Sequence, residues 1–137
     1  MPTLTEMPLT EKDQTTLRQF FDDCIGFVKA GDWTSWAAMY EENGLLQPPH
    51  APAIRGRSKL VQWGEAFPAV ENLEFFDVEV HGEGNLAWGA SGYTLTLRDL
   101  PPDHGKQLVV FHRAADGKWT IVAGSFNSDL PVPGSSE

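Results

Sequence analysis

The stretch Gln107–Asn127, QLVVFHR-AADGK-WTIVAGSFN, decides the fold. Two apolar runs, rich in β-branched and aromatic residues, flank a short turn containing Gly117, which is the pattern of a β-hairpin. Strict alternation puts Val109, Phe111, Val122 and Phe126 on one face and Leu108, Val110, Trp119 and Ile121 on the other. A half-solvated antiparallel sheet alternates apolar with polar residues. Here both faces are apolar, so both must be covered.

Upstream of the hairpin, the period of two begins at Leu73, with Phe76, Val78 and Val80 alternating with Asp77, Glu79 and His81. A turn at Gly82–Asn85 leads into a long strand, Leu86 to Arg98. Its interior Gly89 and Gly92 predict a bulge or bend. The segment Asp99–Lys106, DLPPDHGK, reads as a loop.

Before Leu73 the period is helical. Thr10 is placed as an N-cap, with Glu11 and Asp13 in the first turn where the helix dipole favours acids. Leu17, Phe20, Phe21, Cys24, Ile25 and Val28 then make one stripe, which Gly31 ends. Asp32 starts a second helix with Trp33, Trp36, Ala37 and Tyr40 on one face and Asn43–Gly44 as its stop. Three prolines within Pro48–Pro52 forbid regular structure. Ser58 opens a third helix, stopped by Pro68.

Three helices followed by antiparallel strands predict an α+β fold, the helices packed on one face of a curved, mainly antiparallel sheet. The expected organisation is a loose arm at 1–9, one domain at 10–130 and a flexible tail at 131–137. No helix remains for the second sheet face, so a homodimer through it is expected, with Tyr93, Leu95, Leu97, Val110, His112, Trp119 and Ile121 as the contact.

With 137 residues, 41% of them hydrophobic and 21% charged, the chain can bury one core without disulfide or metal staples. The net charge of −9 and the scatter of ten Lys and Arg exclude nucleic acid and anionic membrane surfaces as expected partners. A single cysteine, Cys24, excludes an intrachain disulfide, and with no signal-like segment in view the expected location is cytoplasmic.

The order of local motifs resembles the nuclear transport factor 2-like superfamily in its SnoaL-like and ketosteroid-isomerase-like branches. The carriers are FVKAGDW at 27–33, Tyr40, Pro48 with Arg55–Gly56, the run Ala87–Leu97, and DGKW leading to Ser125–Phe126–Asn127. The resemblance spans about residues 11 to 128 and implies a cone-shaped, cystatin-like fold, usually dimeric, with an apolar pocket between helices and sheet. It does not imply one reaction, because the superfamily holds isomerases, cyclases, dehydratases, epoxide hydrolases and non-catalytic members.

Carried over residue by residue, the resemblance puts Pro48 at the position of the ketosteroid isomerase base, Cys24 at the oxyanion-hole tyrosine and Val109 near the second acid. All three groups are missing. It also turns Cys24, Trp63, Trp88, Ala90, Gly92, Thr94, Val109, Phe111, Gly124 and Phe126 toward the cone. The expected ligand is therefore a small, mostly apolar molecule, with no cofactor.

If the protein is an isomerase, cyclase or dehydratase, the candidate proton carrier is His50, in the proline loop at the pocket mouth, or an acid near that mouth. A filled cone would instead make it a non-catalytic structural or interaction module. His81 and His104 are expected to be exposed beside turns, and Asp22 and Asp23 on a solvated helix face. Asn127 and Asp129 end the last strand, near where some relatives carry an acid. No pair of His, Cys, Asp or Glu has metal-ligand spacing.

Overall fold

The computed structural model describes residues 7–131. Helix α1, Glu11–Ala30, starts where the residue pattern predicts, on a capping box. The Asp13 N–H donates to Thr10 Oγ1 and the Thr10 N–H to Asp13 Oδ2, both at 3.0 Å. It ends on Gly31 at φ 70°, a left-handed conformation that costs glycine little. Leu17, Phe21 and Val28 are the buried stripe. On the strand side, Gln14 donates to the Val80 carbonyl and Arg18 to that of Val78, each at 3.1 Å, so α1 is tied to the sheet backbone as well as packed on it.

The second helix is shorter than expected. Helix α2 runs only Trp33–Ala38, and Tyr40 opens strand β1, Tyr40–Gln47. Tertiary pairing overrides the helical spacing: the Ile121 N–H takes the Met39 carbonyl at 2.8 Å, and β1 continues parallel to the last strand. Asn43–Gly44 is an irregularity within that strand, whose register shifts between Tyr40 and Leu45. Gly44 is required there, because a Cβ would lie 2.8 Å from Tyr40 Cβ.

Strand β2 is Ile54–Arg55, and helix α3, Arg57–Ala66, is capped by Gly56 without a side-chain bond, not by Ser58. Strands β3, Val70–Glu83, β4, Leu86–Leu97, β5, Asp103–Arg113, and β6, Trp119–Ser128, complete a sheet of order β2-β1-β6-β5-β4-β3, antiparallel except for β1 with β6. The fold is α+β and cystatin-like, as expected, with the core between the helices and one sheet face.

Three local expectations change. The bulge lies in β3, between Phe76 and Glu79, where Asp77 has φ 53°, rather than at the β4 glycines. Those glycines instead make room for aromatic rings: Phe21 and Phe111 close on Gly89, and Phe76 lies over Gly92. Strand β5 begins at Asp103, inside the expected loop.

The arm expected to be loose is held at its described end. Pro8 bridges to Glu83, and the Gly84 N–H donates to the Met7 carbonyl at 2.7 Å. The remainder of that arm, 1–6, and most of the expected tail, 132–137, lie outside the described residues. No helix among the described residues is long and apolar enough to cross a membrane.

Candidate functional site

Side-chain phase along β4 decides what faces the helices. Register pairs Ala87 with Phe111, Gly89 with Val109, Ser91 with Gln107 and Tyr93 with Gly105. Cross-strand partners share a face, so the odd-numbered β4 residues join inward Val109 and Phe111. Trp88 and Thr94, expected in the pocket, therefore point the other way, as do Ala90 and Gly92. Trp88 is 40% exposed with its ring against His81, and Thr94 Oγ1 meets His104 Nδ1 at 3.1 Å. A slip of one residue in phase moves every side chain of a strand to the opposite face.

A bulge does the same in β6. The register shifts between the Val110↔Ala123 and Phe111↔Ile121 pairs, leaving one extra residue at Val122. Trp119 and Ile121 consequently lie on the inward side together with Gly124 and Phe126. Of the expected dimer contacts, Tyr93, Trp119 and Ile121 are thus buried, and Leu95 belongs to the cavity wall. Val110 and His112 lie on the outward face, where His112 Nδ1 meets Glu41 Oε1 at 3.0 Å.

The inward face and the helices enclose a cavity of about 120 Å³. Cys24, Trp63, Val109, Phe111, Gly124 and Phe126 line it, together with Tyr40 and Tyr93, which the residue pattern does not place in the pocket. Its aromatic wall is built by interlocked rings: Trp33 meets Trp36, Trp63 and Phe67 edge-on, with centroids 5.2 to 6.1 Å apart. A second cavity of about 300 Å³ shares Trp63, Phe67, Leu95 and Phe126 with the first and forms its mouth, rimmed by Pro48, Pro49, Leu100, Pro101 and Asp103. His50 lines neither. It is exposed, at φ 57°, in the turn after β1.

Among the described residues, no histidine or carboxylate lines the inner cavity. Burial pushes the Cys24 thiol up to about 12, so it stays protonated at neutral pH. Burial also raises the Tyr40 phenol, and the nearby Cys24 adds to this. Tyr40 is 5% exposed, yet its hydroxyl has no hydrogen-bond partner among the described residues. Since no fully enclosed side-chain polar atom there is left unpartnered, that hydroxyl must border the open space of the cavity. Gly124 leaves it room: a Cβ there would be 3.1 Å from the Tyr40 oxygen.

At the mouth, Tyr93 donates to Asp103 Oδ2 at 3.2 Å and Ser128 donates to Asp103 Oδ1 at 2.5 Å. Asp22, Asp23 and Asn127 are solvent-exposed, His81 pairs with Glu79, and Asp129 pairs with Lys106. Among the described residues, no group of three His, Cys, Asp or Glu could hold a metal ion.

Helices packed over one face of a curved sheet, with a mostly apolar cavity between them, define a cone-shaped, cystatin-like α+β fold. A family model described as SnoaL-like domain matches residues 17–122, and the chain belongs to that family, within the nuclear transport factor 2-like superfamily. No curated protein matches the sequence significantly. Among solved structures, a single-residue variant of Rv3472, a protein of unknown function from Mycobacterium tuberculosis, is 19% identical with a TM-score of 0.80, over 93% of this chain and 83% of that one. A cystatin-like protein of unknown function from Nostoc punctiforme is 19% identical with a TM-score of 0.81, over 93% and 98%. A ketosteroid isomerase-like protein from Erwinia carotovora atroseptica is 17% identical with a TM-score of 0.74, over 89% and 100%. At such identities the likeness concerns the fold alone.

Proposed function

We propose that this protein binds a small, mostly apolar molecule in its cone without converting it. The observation that carries this reading is the Tyr40 hydroxyl, a donor with no protein acceptor among the described residues, facing the open space of a mostly apolar cavity. Such a group is free to donate to an acceptor oxygen on a ligand that fills the cavity. A catalyst would need a proton carrier near neutral pKa beside the reacting atoms. Cys24 and Tyr40 are both held protonated by burial and supply hydrogen bonds rather than bases. A lone buried thiol also suits the reducing cytoplasm, where we place the protein.

Native mass spectrometry of protein purified from its own host is expected to show a retained small molecule that is lost on denaturation. A preparation with no adduct, which also takes up no added decan-1-ol, overturns the reading. Tyr40→Phe is expected to leave the free protein as stable or about 1 kcal/mol more stable, because it deletes an unpartnered polar group. The same change is expected to weaken decan-1-ol binding about tenfold, the equivalent of one lost hydrogen bond. Thermal melts and calorimetric titration check the two halves.

A second reading, an isomerase, cyclase or dehydratase working from the pocket mouth, is favoured by Asp103, the one carboxylate that borders the mouth cavity. It fits the expected acid near the pocket mouth, whereas His50 lines neither cavity.

Two copies are further proposed to pair through the outward sheet face. The support is an exposed apolar patch of Phe76, Leu86, Trp88 and Leu108. Trp88→Glu in the middle of that face is expected to halve the mass seen by light scattering. If the unmodified protein already has the mass of one chain, the pairing is refuted.

A further inference from the structure

The two cavities place the Tyr40 hydroxyl and the Asp103 carboxylate at opposite ends of a mostly apolar passage. At the inner end the Tyr40 hydroxyl sits over Gly124, which pairs with Val109. At the mouth the Tyr93 hydroxyl lies against Gly105, which pairs with Ser128, and reaches Asp103. Gly105 and Val109 are four residues apart on one strand, so the two ends are separated by about 13 Å at ~3.3 Å per residue. Between them the wall is mostly Trp63, Leu95, Val109 and Phe126, with Ser125 and the Gln107 amide, which donates to Ser91 at 3.2 Å, as its polar members.

The ends also differ in character. Tyr40 offers a donor. Asp103 offers acceptors: it takes one hydrogen bond on each oxygen, and a carboxylate has about four acceptor sites, so capacity remains. No Lys, Arg or His forms an ion pair with Asp103 among the described residues. Burial, and then the charges of Asp103 and Asp129, keep the neighbouring Tyr93 phenol protonated. The one lysine paired in this area, Lys106, is engaged by Asp129. Among the described residues, the Asp103 carboxylate at the mouth therefore has no cation within ion-pair distance.

Resting on the proposal that the cone binds a small apolar molecule, we infer that its ligand is an elongated amphiphile. It carries an acceptor oxygen at the Tyr40 end and an ammonium or similar cationic donor at Asp103. A neutral rod of the same length would fill the passage and leave the Asp103 charge unmatched.

Calorimetric titration with 10-aminodecan-1-ol and with decan-1-ol tests this. The amino alcohol is expected to bind at least tenfold more tightly, and raising the salt should erode that advantage while leaving decan-1-ol unaffected. In Asp103→Asn, whose single amide oxygen keeps one of the two hydrogen bonds from Tyr93 and Ser128 while its NH2 can only donate to the other hydroxyl, the two compounds should bind alike. Tyr40→Phe should weaken both by the same factor. An amino alcohol that binds no better than decan-1-ol, or keeps its advantage in high salt or in Asp103→Asn, overturns the inference while leaving the apolar cavity in place. If neither compound binds, the reading of the cavity fails and this inference falls with it.

Discussion

Phe111→Ala is expected to lower the stability of the fold by about 3–5 kcal/mol, the range for truncating a fully buried phenylalanine. Phe111 has no exposure, meets Phe20 edge-on at 5.1 Å between centroids, and closes with Phe21 over the bare backbone of Gly89. The truncation removes transfer energy and leaves a void. That void adjoins the existing cavity, so collapse of the surrounding side chains cannot recover much of the loss. Phe111→Leu keeps most of the volume and should cost under half as much. Urea titration of the two variants checks the ranking. Equal losses would mean that the edge-on contact with Phe20 matters more than the volume filled. The enlarged space in the alanine variant should also take up small aromatic compounds, which would restore part of the melting temperature by mass action.

How much was legible in the residue pattern follows from which rules act locally. The first helix, its Thr10 N-cap and its glycine stop are local, and all are found where the pattern puts them. The order of helices before antiparallel strands follows from a change of period. Strand phase is different. Trp88 and Thr94 differ from Gly89 and Tyr93 only in which neighbour they oppose, and pairing with β5 settles that across the sheet. Large aromatic residues occupy both phases of β4, so hydrophobicity could not choose between them. The bulge at Val122 has no glycine or other breaker to announce it, yet it carries Trp119 and Ile121 from the outside to the inside.

Tyr40 was hidden for another reason. Its spacing from Trp36 continues a helical face, and only the backbone bond from Ile121 to Met39 shows the chain leaving the helix there. Asp103 lay within what looked like a loop. A usable signal for its pairing with Tyr93 was the length of the β4–β5 connection: extending both strands toward the prolines brings the two opposite ends of the hairpin together.

Asp13→Ala is expected to cost about 3 kcal/mol, within reach of the loss seen when one partner of a buried pair is removed. Melting should fall by about 10 °C for a domain of this size. Asp13 has a second role besides capping α1: its Oδ1 accepts from Arg113 Nη1 at 2.9 Å and from Trp119 Nε1 at 3.3 Å, joining the start of the first helix to the two last strands. Arg113 in turn lies over the Trp119 ring at 4.8 Å and donates to Asn85 and to the Gly84 carbonyl. Removing the carboxylate leaves a guanidinium and an indole N–H facing an apolar methyl.

Asp13→Asn separates charge from shape through pH. Burial alone would raise the Asp13 pKa. The hydrogen bonds from the Thr10 backbone, Trp119 and the Thr10 hydroxyl, with the Arg113 charge, outweigh it and hold the carboxyl below its ordinary value. A group whose pKa is depressed on folding contributes stability above its unfolded pKa, near 3.9, and loses it as the pH falls through the folded pKa. The stability gap between the natural protein and Asp13→Asn should therefore be full at pH 6 and shrink as the pH drops below about 4. Denaturant titrations at a series of pH values measure that gap. A gap that stays constant through the acid range would show that Asp13 acts by shape and capping alone, without its charge.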